Sequence, residues 1–118
     1  MEAQSSYYEF DYMKGWNSDT GADSNHFSWM WQRAPKFCDV VAYKGNGSAN
    51  NITHNLEVTP EMIWIKARNL NENWCVYHKD ISPSKFLRLN SNAAQITDTS
   101  ATRFAGAYAT STTFPLGS

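Results

Sequence analysis

The sequence lacks the features that mark most specialised protein classes. Its longest apolar runs are a few residues, far short of the roughly 20 that a membrane-spanning helix needs. It carries two cysteines in 118 residues, Cys38 and Cys75, too few for a disulfide scaffold. Free, core-facing thiols are the expectation for both. Charged residues make up 18% and net charge is −1, which excludes a polyelectrolyte or a nucleic-acid binder that works through bulk charge. Bulky aliphatic and Phe residues are also scarce: Leu, Ile, Val and Phe together number 20. The N-terminus, MEAQSSYYEFDYMKG, has neither a basic start nor an apolar stretch, so it does not read as a signal peptide.

What is present is rings and small polar residues. Five Trp and six Tyr replace the missing aliphatic bulk, and each large aromatic buries roughly 150–250 Å². Asn, Ser and Thr number 32. This composition favours short strands and turns over helices. The length suits one domain.

Along the chain, residues 1–26 form an acidic, polar loop segment, and residues 27–118 carry the strand patterns. Residues 1–32 hold five acids against Lys14, and the remainder holds nine bases against six acids. The acidic stretch is therefore a candidate to pack on a basic face of a neighbouring subunit. Five segments show period-two alternation between turn clusters: Phe27–Arg33, Phe37–Tyr43, Met62–Ala67, Trp74–His78 and Phe86–Asn90. Met62–Ala67 is apolar on both faces and reads as buried on both. KGNGSANN and NLNEN are turn signals. One or two weak strands are expected in the small, polar stretch after Asn90. Turns recurring at this spacing predict an all-β fold, an antiparallel sandwich of jelly-roll or lectin-like type.

The blocks Trp31–Pro35, Phe37–Tyr43, Gly45–Ser48, His54–Met62, Ile65–Asn69, Asn73–His78 and Phe86–Ser91, in this order, carry a resemblance. Together they resemble a repeated domain of marine and cyanobacterial bacteriophage tail-fibre or tail-associated structural proteins, often found beside laminin-G-like domains. The resemblance covers roughly residues 27–118 and implies a virion location and no catalytic residues. It also implies homo-oligomers, with a trimer favoured, or contacts to other virion proteins. Two departures stand out. Glu57 occupies a place where the family usually has Gly. The chain ends at Leu116-Gly117-Ser118, where relatives usually continue into a further strand, so an incomplete C-terminal sheet edge is expected.

Candidate sites are few. Cys75 and His78 are spaced C-x-x-H, half of a zinc site at most, and an offset of three places them on opposite faces of a strand. No metal and no other cofactor is expected. Asp39, inside a strand pattern, is either a site carboxylate with a shifted pKa or a partner of Arg33, Lys36 or Arg68. No nucleophile motif such as G-x-S-x-G is present, and KGNGSANN lacks the G-K-[ST] ending of a phosphate loop. Trp29, Trp31 and Trp64 read as core. Trp16, in the polar loop GWNSDTG beside Asn17 and Asp19, is the ligand-binding candidate: its ring suits stacking on a sugar while the amide and carboxylate bind hydroxyls. The leading expectation is a non-enzymatic virion domain that spaces a fibre or attaches to a host-surface glycan. A stand-alone carbohydrate-binding module and a glycan-degrading tailspike fragment are the alternatives.

Overall fold

In the computed structural model, residues 31–118 are described. Those from Gln32 to Ser118 make up one unit. Six strands follow in chain order: β1 Asn50–Thr53, β2 Met62–Ile65, β3 Cys75–His78, β4 Lys85–Arg88, β5 Ile96–Thr97 and β6 Thr113–Leu116. Among the described residues there is no helix, and hence none long and apolar enough to cross a membrane. The strands form two antiparallel sheets, one of four strands in the order β2-β3-β4-β5 and one pairing β1 with β6. The chain is all-β and sandwich-like, as its alternation predicts.

The four-stranded sheet follows its sequence directly. Ile63 pairs with Tyr77 and Ile65 with Cys75, and Phe86 pairs with Ile96. These alternate positions face inward, where Tyr77 and Phe86 are fully buried. Phe104 and Ala109, from irregular segments, and Phe114 of β6 complete the core. The Tyr77 and Phe104 rings meet at 5.6 Å. The Arg103 guanidinium lies 4.4 Å over the Phe86 ring. Rings thus supply the burial that the scarce aliphatic residues cannot.

Asparagines close the β3–β4 hairpin. Asn90 accepts the Trp74 N–H on Oδ1 at 3.1 Å and donates its amide to Asn73 Oδ1 at 3.0 Å. A buried carboxylate organises the turn after β5. Asp98 accepts the Arg103 N–H at 2.8 Å and the Thr102 hydroxyl at 3.0 Å. Burial pushes its pKa up, but these bonds together with the Arg103 charge outweigh that and hold it below the usual value.

The region from Gln32 to Thr59 departs from expectation. Phe37–Tyr43 is not a strand. A tight turn, Ala34–Cys38, closes instead, with Ala34 and Cys38 exchanging bonds of 2.9 and 3.0 Å. Pro35 fixes the start of the turn, and Lys36 adopts φ 63°. The Asp39 carboxylate then captures backbone donors that a ladder would have used: Val40 N–H on Oδ1 and Asn55 N–H on Oδ2, each at 2.8 Å. Competition of this kind between side chain and ladder defeats strand formation. Phe37 and Val40 end up 68% and 66% exposed, while Val41 packs on the core and the half-exposed Tyr43 ring meets Phe114 edge-on at 6.3 Å. At the other expected N-terminal strand, residues 31–33 are not strand, and residues 27–30 lie outside the described residues. Conversely β1, with sequence NNIT, and β6, which contains Pro115, form where the pattern is weak. Pro115 is tolerated because β6 pairs with β1 alone among the described strands.

Candidate functional site

The outward face of the four-stranded sheet is built by the same alternation that builds the core. If Ile63, Tyr77 and Phe86 point in, then Met62, Trp64, Val76 and Leu87 point out. Trp64 pairs with Val76, and Val76 with Leu87, making an apolar row across three strands. Met62 and Trp64 are 49% and 39% exposed, and Leu89, just past β4, is 50% exposed. The expectation that both faces of this segment are buried is therefore corrected, as is the assignment of Trp31 and Trp64 to the core, since both are exposed. The apolar residues on both faces of β2 misled the reading. One face seats the core; on the other Met62 and Trp64 are exposed, while Val76, between Trp64 and Leu87, is itself buried.

A second feature is a cleft of about 280 Å³ where the two sheets meet the KGNGS loop. Ile52, Ile65, Cys75, Phe104 and Leu116 form its apolar floor, and Tyr43, Lys44 and Asn46 stand at its rim. Burial, with the Cys75 sulfur nearby, pushes the Tyr43 phenol up. Cys75 and Cys38 are free thiols, each half-buried. Among the described residues, no histidine, aspartate or glutamate side chain lines it to serve Cys75 as a base. Among the described residues, no three His, Cys, Asp or Glu side chains gather as a metal site. Cys75 lies on the core side of β3, whereas His78 stands across from Met62.

Asp39 resolves as a structural pin. Its Oδ1 receives Arg33 Nε at 2.8 Å and the second guanidinium nitrogen at 2.7 Å. The Asn55 backbone bond foremost, with Arg33 and the Val40 amide, holds its pKa low against a smaller upward push from burial. The adjacent His54 is buried and accepts the Leu56 N–H on Nδ1 at 3.2 Å. Its Nε2 lies 3.1 Å from the Thr110 carbonyl, which it can only donate to. Arg33, Asp39 and His54-Asn55, from three separated sequence blocks, thus form one clasp beside the β1–β6 sheet. Glu57, two residues on, has φ 66°, a left-handed conformation that glycine adopts at least cost.

Trp16, Asn17 and Asp19, the ligand candidates from the sequence, lie outside the described residues. The sequence reading missed the outward Met62–Trp64–Leu87 surface. The signal was there: Met62 and Trp64 are both apolar in β2, and Trp64 stands opposite apolar positions in β3 and β4. It also missed Asp98, whose role depends on a five-residue loop closure that no periodicity reveals.

No curated protein and no solved structure matches the chain. Residues 32–118 match the family described as Domain of unknown function (DUF7483), and the chain belongs to that family.

Proposed function

We propose that this chain is a non-enzymatic domain of a bacteriophage virion, part of a tail fibre or tail-associated protein, that mediates contact with the host surface. It is assembled in the host cytoplasm and works as a homo-oligomer, with a trimer favoured, or against other virion proteins. One observation supports this most directly: the large sheet turns Met62, Trp64 and Leu89 outward while its opposite face makes the core. A surface of that kind suits contact more than chemistry. The order of the seven sequence blocks supports the virion location through resemblance. A stand-alone carbohydrate-binding module is the second reading, favoured by the exposed Trp64 ring on a flat sheet.

Two measurements test the proposal. Gold-labelled antibody against the chain is expected to decorate tail fibres of particles purified from the source lysate. Fluorescently labelled chain is expected to adsorb saturably to cyanobacterial cells. Label confined to the particle-free fraction, together with no adsorption, overturns the reading.

A further inference from the structure

The KGNGS loop at the cleft rim holds chemistry that neither sheet uses. Asn46 is the one asparagine, of eleven in the chain, that precedes a glycine. Residues 45–50 are all exposed. Gly47 has φ 72°, and among the described residues no atom outside its chain neighbours lies within 4 Å of where a side chain would project. The Asn46 side chain turns back over the Gly47 peptide: its Oδ1 accepts the Ser48 N–H at 3.0 Å, an Asx-turn. That bond polarises the side-chain carbonyl and stands ready to hold negative charge on Oδ1. The Gly47 N–H has no hydrogen-bond partner among the described residues. Other asparagines lack this combination. After Asn50, Asn55, Asn73 and Asn92 the next N–H is already donated, to Asn50 Oδ1, His54 Nδ1, Asn90 Oδ1 and Ser91 Oγ respectively. Asn90 has both ends of its amide bonded. Every asparagine but Asn46 is followed by a residue whose Cβ crowds the nitrogen.

We infer that Asn46 is a site of spontaneous covalent modification, closing on the Gly47 nitrogen to a succinimide that water reopens as isoaspartate or aspartate. Hydroxide from solvent takes the Gly47 amide proton. The nitrogen lone pair then bonds Asn46 Cγ, and the carbonyl electrons move onto Oδ1, where the Ser48 N–H meets them. Those electrons return, the Cγ–Nδ2 bond breaks, and ammonia leaves with a proton from water, which restores the hydroxide. Water then adds to one of the two ring carbonyls and breaks its bond to the ring nitrogen. Opening at Cγ gives aspartate. Opening at the main-chain carbonyl gives isoaspartate and lengthens the backbone by a methylene. The sum is amide plus water to carboxylate plus ammonium, with no change of oxidation state. Lys44 stands with Asn46 at the rim, so the new carboxylate offsets a cation there. The chemistry is independent of what the domain binds.

The full chain is held in mildly alkaline buffer and sampled by peptide mass spectrometry and anion-exchange chromatography. Modification at Asn46 is expected to run at least about tenfold ahead of every other asparagine among the described residues. A more acidic species should accumulate and elute with freshly purified Asn46→Asp. An isoaspartate-specific methyltransferase is expected to label the aged parent chain. Asn46→Gln, which must close a larger ring, should lack the acidic species, and Gly47→Ala should form it about tenfold more slowly. Near-ultraviolet circular dichroism is expected to hold steady while the species accumulates, because the loop is exposed. The inference is overturned if Asn46 reacts no faster than the other asparagines, if the acidic species persists in Asn46→Gln, or if Gly47→Ala forms it as fast as the parent. A dichroism signal that decays in step with modification also overturns it, since the reaction then follows unfolding rather than the loop's native geometry.

Discussion

The four-stranded sheet and the segment from Gln32 to Thr59 are held together by different physics. In the sheet, backbone ladders and buried rings act together: Tyr77, Phe86 and Phe104 are fully buried beneath continuous pairing. In the segment, most side chains are exposed and the backbone is irregular up to β1. Its shape depends on a few polar anchors, chiefly Asp39 holding Arg33, Val40 and Asn55, and His54 bridging Leu56 and Thr110. Burial is spread over many contacts and fails globally. Anchors are few, and each fails locally.

The largest expected effect breaks the sheet side. Phe86→Ala removes a fully buried ring that also carries the Arg103 guanidinium. It should cost about 3–5 kcal/mol, a large share of the stability of a domain this size. Urea denaturation should show a strongly reduced midpoint; a midpoint equal to the parent's would sink the account of the core.

Next comes Asp98→Ala, which strips charged bonds from the Thr102 hydroxyl and the Arg103 amide. A loss of about 2–3 kcal/mol is expected, because the orphaned groups sit beside the core. Asp39→Ala should cost less in global stability, about 1–2 kcal/mol, because its partner Arg33 is exposed. Its signature is local: hydrogen exchange at the Val40 and Asn55 amides should accelerate while the β3 amides stay protected. Uniform acceleration across both regions would erase the contrast between them.

Acid should reveal the same two carboxylates. Both have folded pKa values below their unfolded ones. The stability they contribute is therefore complete above the unfolded value near 3.9 and is lost as pH falls through the lower folded values. Thermal midpoints should drop as the pH falls below about 4, and less steeply in Asp39→Asn. A midpoint that rises over that range contradicts the assignment.

The smallest effect is a gain. Glu57 holds a left-handed φ without being glycine. Glu57→Gly should stabilise by about 0.5–1 kcal/mol, raising the thermal midpoint by a few degrees. A lower midpoint would mean that the Glu57 side chain contributes more than its backbone strain costs.

The sequence made the same two regions unequally legible. β2, β3 and β4 stand out because Ile63, Tyr77 and Phe86 each sit in an uninterrupted alternation that burial then enforces. Phe37–Tyr43 shows an equally regular alternation, yet one carboxylate at Asp39 redirects the backbone donors around it. Whether Asp39 would find Asn55, sixteen residues on, cannot be read from local pattern. β1 went unrecognised, and β6 was expected only as one of one or two unplaced strands after Asn90, because NNIT and TFPL carry weak strand signals and their pairing is set by Phe114 reaching the core from far along the chain. The outward surface was hidden by a symmetry: both faces of β2 are apolar, so pattern alone does not say which one meets water.

Gly117 closes the β6 end of the fold in a narrow seat. A Cβ there would overlap the Ala101 carbonyl and the Thr102 backbone, while the Gly117 N–H donates to the Arg103 carbonyl at 2.9 Å. Strands paired on one side only can slide, and a slide of one residue exchanges inward and outward side chains. Were β6 to shift by one position along β1, either Leu116 or Ser118 would arrive at this seat, and neither fits. The glycine works as a detent: by refusing any neighbour with a side chain, it keeps Phe114 opposite Ile52 and so delivers that ring to the core.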